Sequence, residues 1–218
     1  MYALWTAFIV GAYLLGSVPF AFLLARAHGV DLRTIGSGNI GATNLARALG
    51  RKWGYLCFAL DVLKGLVPMA LVGALLGVPG RPVFLALWLG VGIAAILGHV
   101  FPIYLKFKGG KGVATSFGVA LGLWPYFTIC ALIALLVWVL AVLIWRYVSL
   151  ASVCAAVVFP IALAVGTLTI PSWDHVNLWP LMVAATLIPL LVILRHRENI
   201  QRLLTGTESK IHSKPPTP

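Results

Sequence analysis

The sequence predicts an all-α, polytopic integral membrane protein with about seven transmembrane helices, one of them short, the N-terminus outside and the C-terminus cytoplasmic. Three observations carry that expectation. Hydrophobic residues make up 61% of the 218-residue chain and the mean hydropathy is +1.01, whereas soluble domains sit near about 45–50% apolar. Charged residues are only 10%, too few to clothe a soluble globule. The apolar residues also fall in runs close to the ~20 residues that a helix needs to cross the hydrocarbon core.

The runs lie at about 2–25, 53–77, 82–104, 113–145, 149–170 and 176–194. The first has no basic leader and no small-residue cleavage site before polar sequence, so it is read as the first span and not as a removable signal. The breaks between runs are of two kinds. Those around Gly80, Arg81 and Pro82, and around Ser172, Trp173, Asp174 and His175, are nearly bare of cations. The others are basic: Arg26, Arg33, Arg47, Arg51 and Lys52 in residues 26–52; Lys106, Lys108 and Lys111 in 105–112; Arg146; and Arg195, Arg197, Arg202, Lys210 and Lys214 at the end. These four regions hold 14 of the 16 Lys and Arg residues, and positive charge retained on the cytoplasmic side assigns all four to that side.

Parity then resolves the longest run. It begins beside the Lys106–Lys111 cluster and ends at Arg146, so both of its ends are cytoplasmic and it must cross twice. The turn is placed near Trp124–Pro125, because the residue before a proline disfavours helix. The first half, 113–123, is then short for a core of about 30 Å. It reads as a half-helix or a tilted short span, tolerable where protein or water covers its ends. One membrane domain is expected over 1–208, with a short polar tail at 209–218.

A net charge of +11 raises nucleic-acid binding, but no recognised module accompanies it, and topology accounts for the charge. Cys57, Cys130 and Cys154 lie far apart in apolar runs, with no CxxC or Cys/His spacing, so neither a disulfide framework nor a metal site is indicated.

Four polar motifs lie in the basic regions. GSGNIGATNLAR (36–47) combines Gly36, Gly38 and Gly41 with Ser37, Asn39, Thr43 and Asn44. Glycines let backbone N–H groups converge on an oxyanion, and the hydroxyl and amide side chains add donors; Thr43 or Asn44 can instead cap the next helix. The glycines match G-x-G-x-x-G, with Asp61 20 residues beyond Gly41. A dinucleotide site needs flanking strands, and here a membrane span precedes the glycines and Asp61 lies inside another, so that reading is rejected. GHVFPIYLKFKGGKGVATS (98–116) is not a Walker loop, since its spacing differs and no Ser or Thr follows Lys111. Lys111 between Gly109, Gly110 and Gly112 still suits a phosphate. Lys106 reads as a topology signal and His99 as a helix-packing donor.

In RYVSLAS (146–152), Ser149 and Ser152 share a helix face. They either bond backbone or a neighbouring helix, or donate to an anion. In RHRENIQRLLTGTE (195–208), His196 and Asn199 are three apart and can address one point. Arg195 and Arg202, seven apart, lie on a neighbouring face, and the rest has the pattern of an interfacial amphipathic helix. Asp61 and Lys64 sit inside the second span, where charges are costly and normally paired. With His99 and Glu208 they are assigned to polar support of the site.

GSGNIGATN followed by Arg47, LDVLKG at 60–65, GHVFP…FKGGKGVAT and HRENIQRLLTGTE together resemble the bacterial membrane acyl-phosphate:glycerol-3-phosphate acyltransferases of the PlsY type, over about residue 10 to Glu208. The resemblance implies transfer of a fatty acyl group from acyl-phosphate to the 1-hydroxyl of glycerol 3-phosphate. The products are lysophosphatidic acid and inorganic phosphate, in the first step of phospholipid synthesis. It implies no CoA or acyl-carrier-protein donor, no cofactor and no metal. The partners implied are the two substrates and the bilayer of the bacterial inner membrane. It maps donor and acceptor phosphate sites onto Ser37, Arg47, Lys111, Ser149 and the glycines 109, 110 and 112, and glycerol 3-phosphate binding onto His196 and Asn199.

The residues agree independently. Both substrates carry phosphate, and one is a lipid while the other is water-soluble, which suits cationic loops at a membrane boundary. The H-x4-D pair of soluble acyltransferases is absent: His28 and Asp31 are three apart. The base is either His196 or the acceptor's own phosphate, with positioning and electrostatics carrying most of the acceleration. The rival class is a transporter for a phosphate-containing small molecule. It would call for functional polar residues at mid-membrane and on both sides, and here only Asp61 and Lys64 lie within a span.

Overall fold

The structure, a computed structural model, describes residues 2–77 and 81–211; Gly80 of the second break and Lys214 of the tail lie outside the described residues. Ten α-helices occur among them, with no strand: α1 (Tyr2–Ser17), α2 (Phe20–Ala27), α3 (Ala42–Leu49), α4 (Arg51–Leu76), α5 (Pro82–Val100), α6 (Val113–Gly122), α7 (Tyr126–Trp145), α8 (Val148–Thr169), α9 (His175–Arg195) and α10 (Arg197–Leu204). Six stretches are long and apolar enough to span a bilayer: Tyr2–Ala27, Arg51–Leu76, Pro82–Leu105, Tyr126–Trp145, Val148–Thr169 and Val176–Arg195, with Val113–Gly122 as a shorter apolar helix. The protein is an integral membrane helical bundle, with the one short helix where parity demanded it. Leu143, Leu168 and Leu187 are exposed. Such apolar surface is hostile to water and at home in lipid.

Pro19 interrupts the first span between α1 and α2. A proline break orphans backbone carbonyls, which hydrocarbon cannot satisfy. The Lys64 ammonium fills that need, donating to the Val18 carbonyl at 2.9 Å. Lys64 also pairs with Asp61 at 2.9 Å, and the His99 ring nitrogen Nδ1 lies 3.6 Å from the same carboxylate. The two charges expected inside the second span are thus paired with each other, and they bridge α1/α2, α4 and α5.

The half-length of α6 has a visible cause. After α5 the chain runs outward through Ile103–Leu105 and then doubles back. Gly109 and Gly110 donate their amides to the carbonyls of Val100 and His99 at 3.2 and 3.1 Å, so α6 starts beside the last turn of α5. Its 10 residues rise only about 15 Å, and a turn through Leu123, Trp124 and Pro125, with a cis Trp124–Pro125 bond, hands over to α7. What seats α6 is close backbone contact with α4. A β-carbon on Gly65 would strike the carbonyl of Thr115, and one on Gly118 the carbonyl of Val62. Small residues that let backbones touch are the usual device of helix association in lipid.

All four basic regions meet at one end of this bundle. Arg47 of α3 reaches Ser209 O, Lys111 reaches Asn199 of α10, Arg195 reaches Gly109 O and Gly110 O, and the Ile211 amide reaches Arg146 O. Residues 209–211 therefore lie against the bundle. This is the even-crossing arrangement that the Lys and Arg pattern predicted.

A half-buried cationic cluster as the candidate functional site

The cluster is assembled by three chain reversals. The loop before α3 is braced by Asn44, 2% exposed: its Oδ1 accepts the Ser37 amide at 3.2 Å, and its Nδ2 donates to the Leu32 and Ile35 carbonyls at 3.1 and 3.0 Å. Gly36 and Gly38 have φ of 57° and 67°, the left-handed region that favours glycine, and the Gly38 amide donates to Ile35. Asn44 is thus spent on holding the loop, as is the Ser37 amide. The expectation that Asn44 donates to a phosphate gives way to a structural role, and the capping alternative fails as well, since Gly41 is the N-cap of α3 with no side-chain bond. Asn39, Gly41 and Thr43 are half-buried beside it, and Ser37 stands exposed on the loop.

The second reversal carries Lys111. Gly109 and Gly110, expected to offer their amides to an anion, have them occupied by α5, and their carbonyls accept from Arg195 at 3.2 Å each. A β-carbon on Gly110 would overlap the His99 imidazole. These glycines shape the loop. The donors left for an anion here are the Lys111 ammonium and the open first turn of α6 after Gly112. Thr115 and Ser116 in that turn have hydroxyls with no hydrogen-bond partner.

The third reversal breaks the helix expected to run through residues 195–208. His196 ends α9 and caps α10, so Arg195 and Arg202 diverge: Arg195 holds the glycine loop and Arg202 pairs with Glu208 at 2.7 Å. His196 and Asn199 are buried, 3% and 6% exposed. His196 Nδ1 contacts the Val192 carbonyl at 2.8 Å. A carbonyl only accepts, so the ring proton lies on Nδ1 and Nε2 keeps its lone pair. Glu208 accepts from Ser149 at 2.7 Å, Asn199 at 2.6 Å and Arg202 at 2.7 Å. Ser149 has therefore committed its one hydroxyl proton to Glu208. Ser152, its expected partner in anion binding, donates to the Val148 carbonyl and accepts from Trp138 Nε1. It belongs to the contact between α7 and α8, not to the cluster.

The electrostatics are uneven. Burial lowers the Lys111 pKa to about 8, with Glu208 opposing the shift and Arg202 reinforcing it. Burial lowers His196 to about 4, against the Val192 carbonyl bond, with the Lys111 charge adding to the fall. Burial likewise depresses Arg47. Glu208 moves the other way: burial would raise it, but the bonds from Arg202, Asn199 and Ser149 hold it below the usual carboxylate range. Asp31 is held at about 2 by its bond to Arg33, while His28 Nδ1 lies on the Leu24 carbonyl at 2.8 Å. Arg47, Lys111, Ser149, His196, Asn199 and Glu208 come together. Arg195 and Arg202 join them, unassigned by sequence; their places flanking His196 and Asn199 were the available signal. Among the described residues no group of His, Cys, Asp and Glu has the makings of a metal site.

An integral membrane bundle with a recessed cluster of cations and amide donors at one end defines a class: a membrane protein that handles anionic, phosphate-sized groups at a lipid boundary. A family model described as glycerol-3-phosphate acyltransferase matches residues 6–206. The glycerol-3-phosphate acyltransferase of Trichlorobacter lovleyi is 47% identical over 202 residues, covering 93% of this chain and 95% of the relative. The glycerol 3-phosphate form of the crystal structure of PlsY, an integral membrane glycerol 3-phosphate acyltransferase, superposes with a TM-score of 0.82 at 42% identity, covering 94% of each chain. Its lysophosphatidic acid form gives 0.79 at the same identity and coverage. The chain belongs to the glycerol-3-phosphate acyltransferase family.

Proposed function

We propose that this protein transfers a fatty acyl group from acyl-phosphate to the 1-hydroxyl of glycerol 3-phosphate, releasing lysophosphatidic acid and inorganic phosphate. The site would face the cytoplasm from a bacterial inner membrane, within one catalytic domain over 1–208. Family membership supports the acyltransferase activity. The observation that carries the mechanism is the set of half-buried Arg47 and Lys111 with buried His196 and Asn199 at one end of the bundle. An acyl-phosphate has a good leaving group, so a site need only neutralise the departing phosphate and align the attacking hydroxyl. Lys111 and the first turn of α6 serve the first need, with Ser37 and Thr43 from the loop and first turn of α3. His196 and Asn199 hold the acceptor: neutral His196 offers Nε2 as a hydrogen-bond acceptor to a glycerol hydroxyl. Arg47, now on a carbonyl at 3.2 Å, can exchange that neutral acceptor for a phosphate, a charge-assisted and stronger bond.

The test is direct. Purified protein in detergent receives palmitoyl-phosphate and glycerol 3-phosphate, and phosphate release is followed with and without each substrate. Release that requires both, with lysophosphatidic acid formed in step, is expected. Turnover only with acyl-CoA would overturn the donor assignment. Uptake of glycerol 3-phosphate by reconstituted vesicles without acyl transfer would favour a transporter.

A further inference from the structure

Glu208 is a carboxylate set inside a cluster otherwise built for anions, which calls for a reason. Its side chain is 6% exposed, and it lies 12 residues beyond His196 on the far side of α10. It accepts three hydrogen bonds, from α8 through Ser149 and from α10 through Asn199 and Arg202. A carboxylate can only accept and an ammonium can only donate. Asn199 sits between the two, with Glu208 on one side and Lys111 on the other. Its amide then has one consistent orientation: Nδ2 to Glu208 and Oδ1 to Lys111. Rotating it would set amine against ammonium and carbonyl against carboxylate.

We propose that Glu208 is a positioning residue: its carboxylate dictates which end of the Asn199 amide meets Lys111, and so holds both in register for the phosphate-bearing substrates. This rests on the reading above of Lys111 and Asn199 as substrate-binding groups. Arg202 keeps Glu208 ionised from the outer side, and the Ser149 bond ties the arrangement to α8. Ser149 thus acts through Glu208, which explains why its only proton is turned away from an incoming anion. The alternative is that the Glu208 carboxylate merely fills the place of a substrate phosphate and must be displaced.

The charged and titratable groups facing Lys111 are Glu208, Glu198 and Arg202 from the C-terminal segment, Arg47 from α3, and His196 with Arg195 at the end of α9. Removing the Glu208 charge enlarges the net excess of cations around Lys111. The experiment uses full-length protein in detergent. Lys111 is titrated without reference to activity, by the pH dependence of its acetylation with acetic anhydride read by mass spectrometry. Thermal unfolding and steady-state kinetics are measured on the same samples. In Glu208→Gln the Lys111 midpoint is expected to fall by about one unit, and kcat/KM by about 10- to 100-fold. Glu208→Asp keeps the charge but withdraws it by one methylene. It should hold the Lys111 midpoint near its wild-type value while recovering only part of kcat, and it keeps the test alive should the Gln variant fail to fold. An unchanged Lys111 titration in Gln, or full activity in either variant, would overturn the proposal. So would a lower KM for glycerol 3-phosphate in the Gln variant, which would show a carboxylate that only competed with phosphate. A wild-type protein whose Lys111 titrates as described but turns over no acyl-phosphate would refute the proposed function instead.

Discussion

The pKa values of His196 and Lys111 bear directly on which group accepts the hydroxyl proton. A histidine held near 4 is neutral at physiological pH, but it is a weak base, and general-base catalysis works best with a pKa near the working pH. The second ionisation of a phosphate monoester lies near about 6, better matched to the task. Lys111, lowered to about 8, carries its charge below that pH and loses it above. The single-turnover rate at saturating substrate should therefore rise through about pH 6 as the acceptor phosphate ionises and fall above about pH 8 as Lys111 deprotonates. His196→Gln should raise KM for glycerol 3-phosphate and keep the acid limb; Lys111→Arg should carry the alkaline limb upward, because guanidinium stays protonated. An acid limb that disappears in His196→Gln would make His196 the base. At this scale the sequence showed residue types at spacings, and Arg47, Lys111, His196 and Asn199 were legible. Partners were not: that Asn44 braces its own loop, that Ser152 turns to Trp138, and that Gly109 and Gly110 spend their amides on α5 depend on contacts between segments far apart in the chain.

Among the elements, α6 decides where the site lies. Its length was readable, because the Lys106–Lys111 cluster and Arg146 fixed both ends of one long apolar run to the same side. The reason that a half-length helix suffices was hidden in the return of Gly109 and Gly110 to the last turn of α5. That fold-back sets Lys111 beside the last turn of α5, with His99 packed on Gly110 and paired through Asp61 to Lys64. α6 is seated by glycine contacts with α4, so a side chain there should move Lys111 without touching it. Gly118→Val forces a methyl-bearing carbon into the Val62 carbonyl, an overpacking that costs about 1–3 kcal/mol. A lowered unfolding temperature in detergent, with kcat reduced by at least about tenfold, is expected. The exposed contrast Leu136→Val on the outer face of α7 should change neither. Equal behaviour of the two variants would show that α6 tolerates displacement and that its close seating does not govern Lys111.

Across the whole molecule, the distribution of cations and the convergence of the loops express one constraint. Translocating Lys or Arg is unfavourable, so cations are expected to collect on the side from which the chain inserts, and 14 of the 16 fall in the four basic regions of the sequence. Of the two outside the basic regions, Lys64 is neutralised by Asp61 within the bundle, and Arg81 starts α5 at the opposite end. The same constraint delivers Arg47, Lys111, Arg195 and Arg202 to one end, where two phosphate-bearing substrates would need them. A water-soluble acceptor can then reach the cluster from one side while a lipid-borne donor approaches through the bilayer, which requires the basic end to be cytoplasmic. Single cysteines test this at Gln201 on α10 and at Ser172 beyond α8, both exposed, in a background where Cys57, Cys130 and Cys154 lie within spans. In intact spheroplasts a membrane-impermeant maleimide should label Ser172→Cys, and should label Gln201→Cys only after permeabilisation. The reverse pattern would put the cluster outside, away from cytoplasmic glycerol 3-phosphate, and would refute the orientation while leaving the fold intact. Labelling of both positions in sealed cells would point to dual insertion, which so lopsided a charge distribution should prevent.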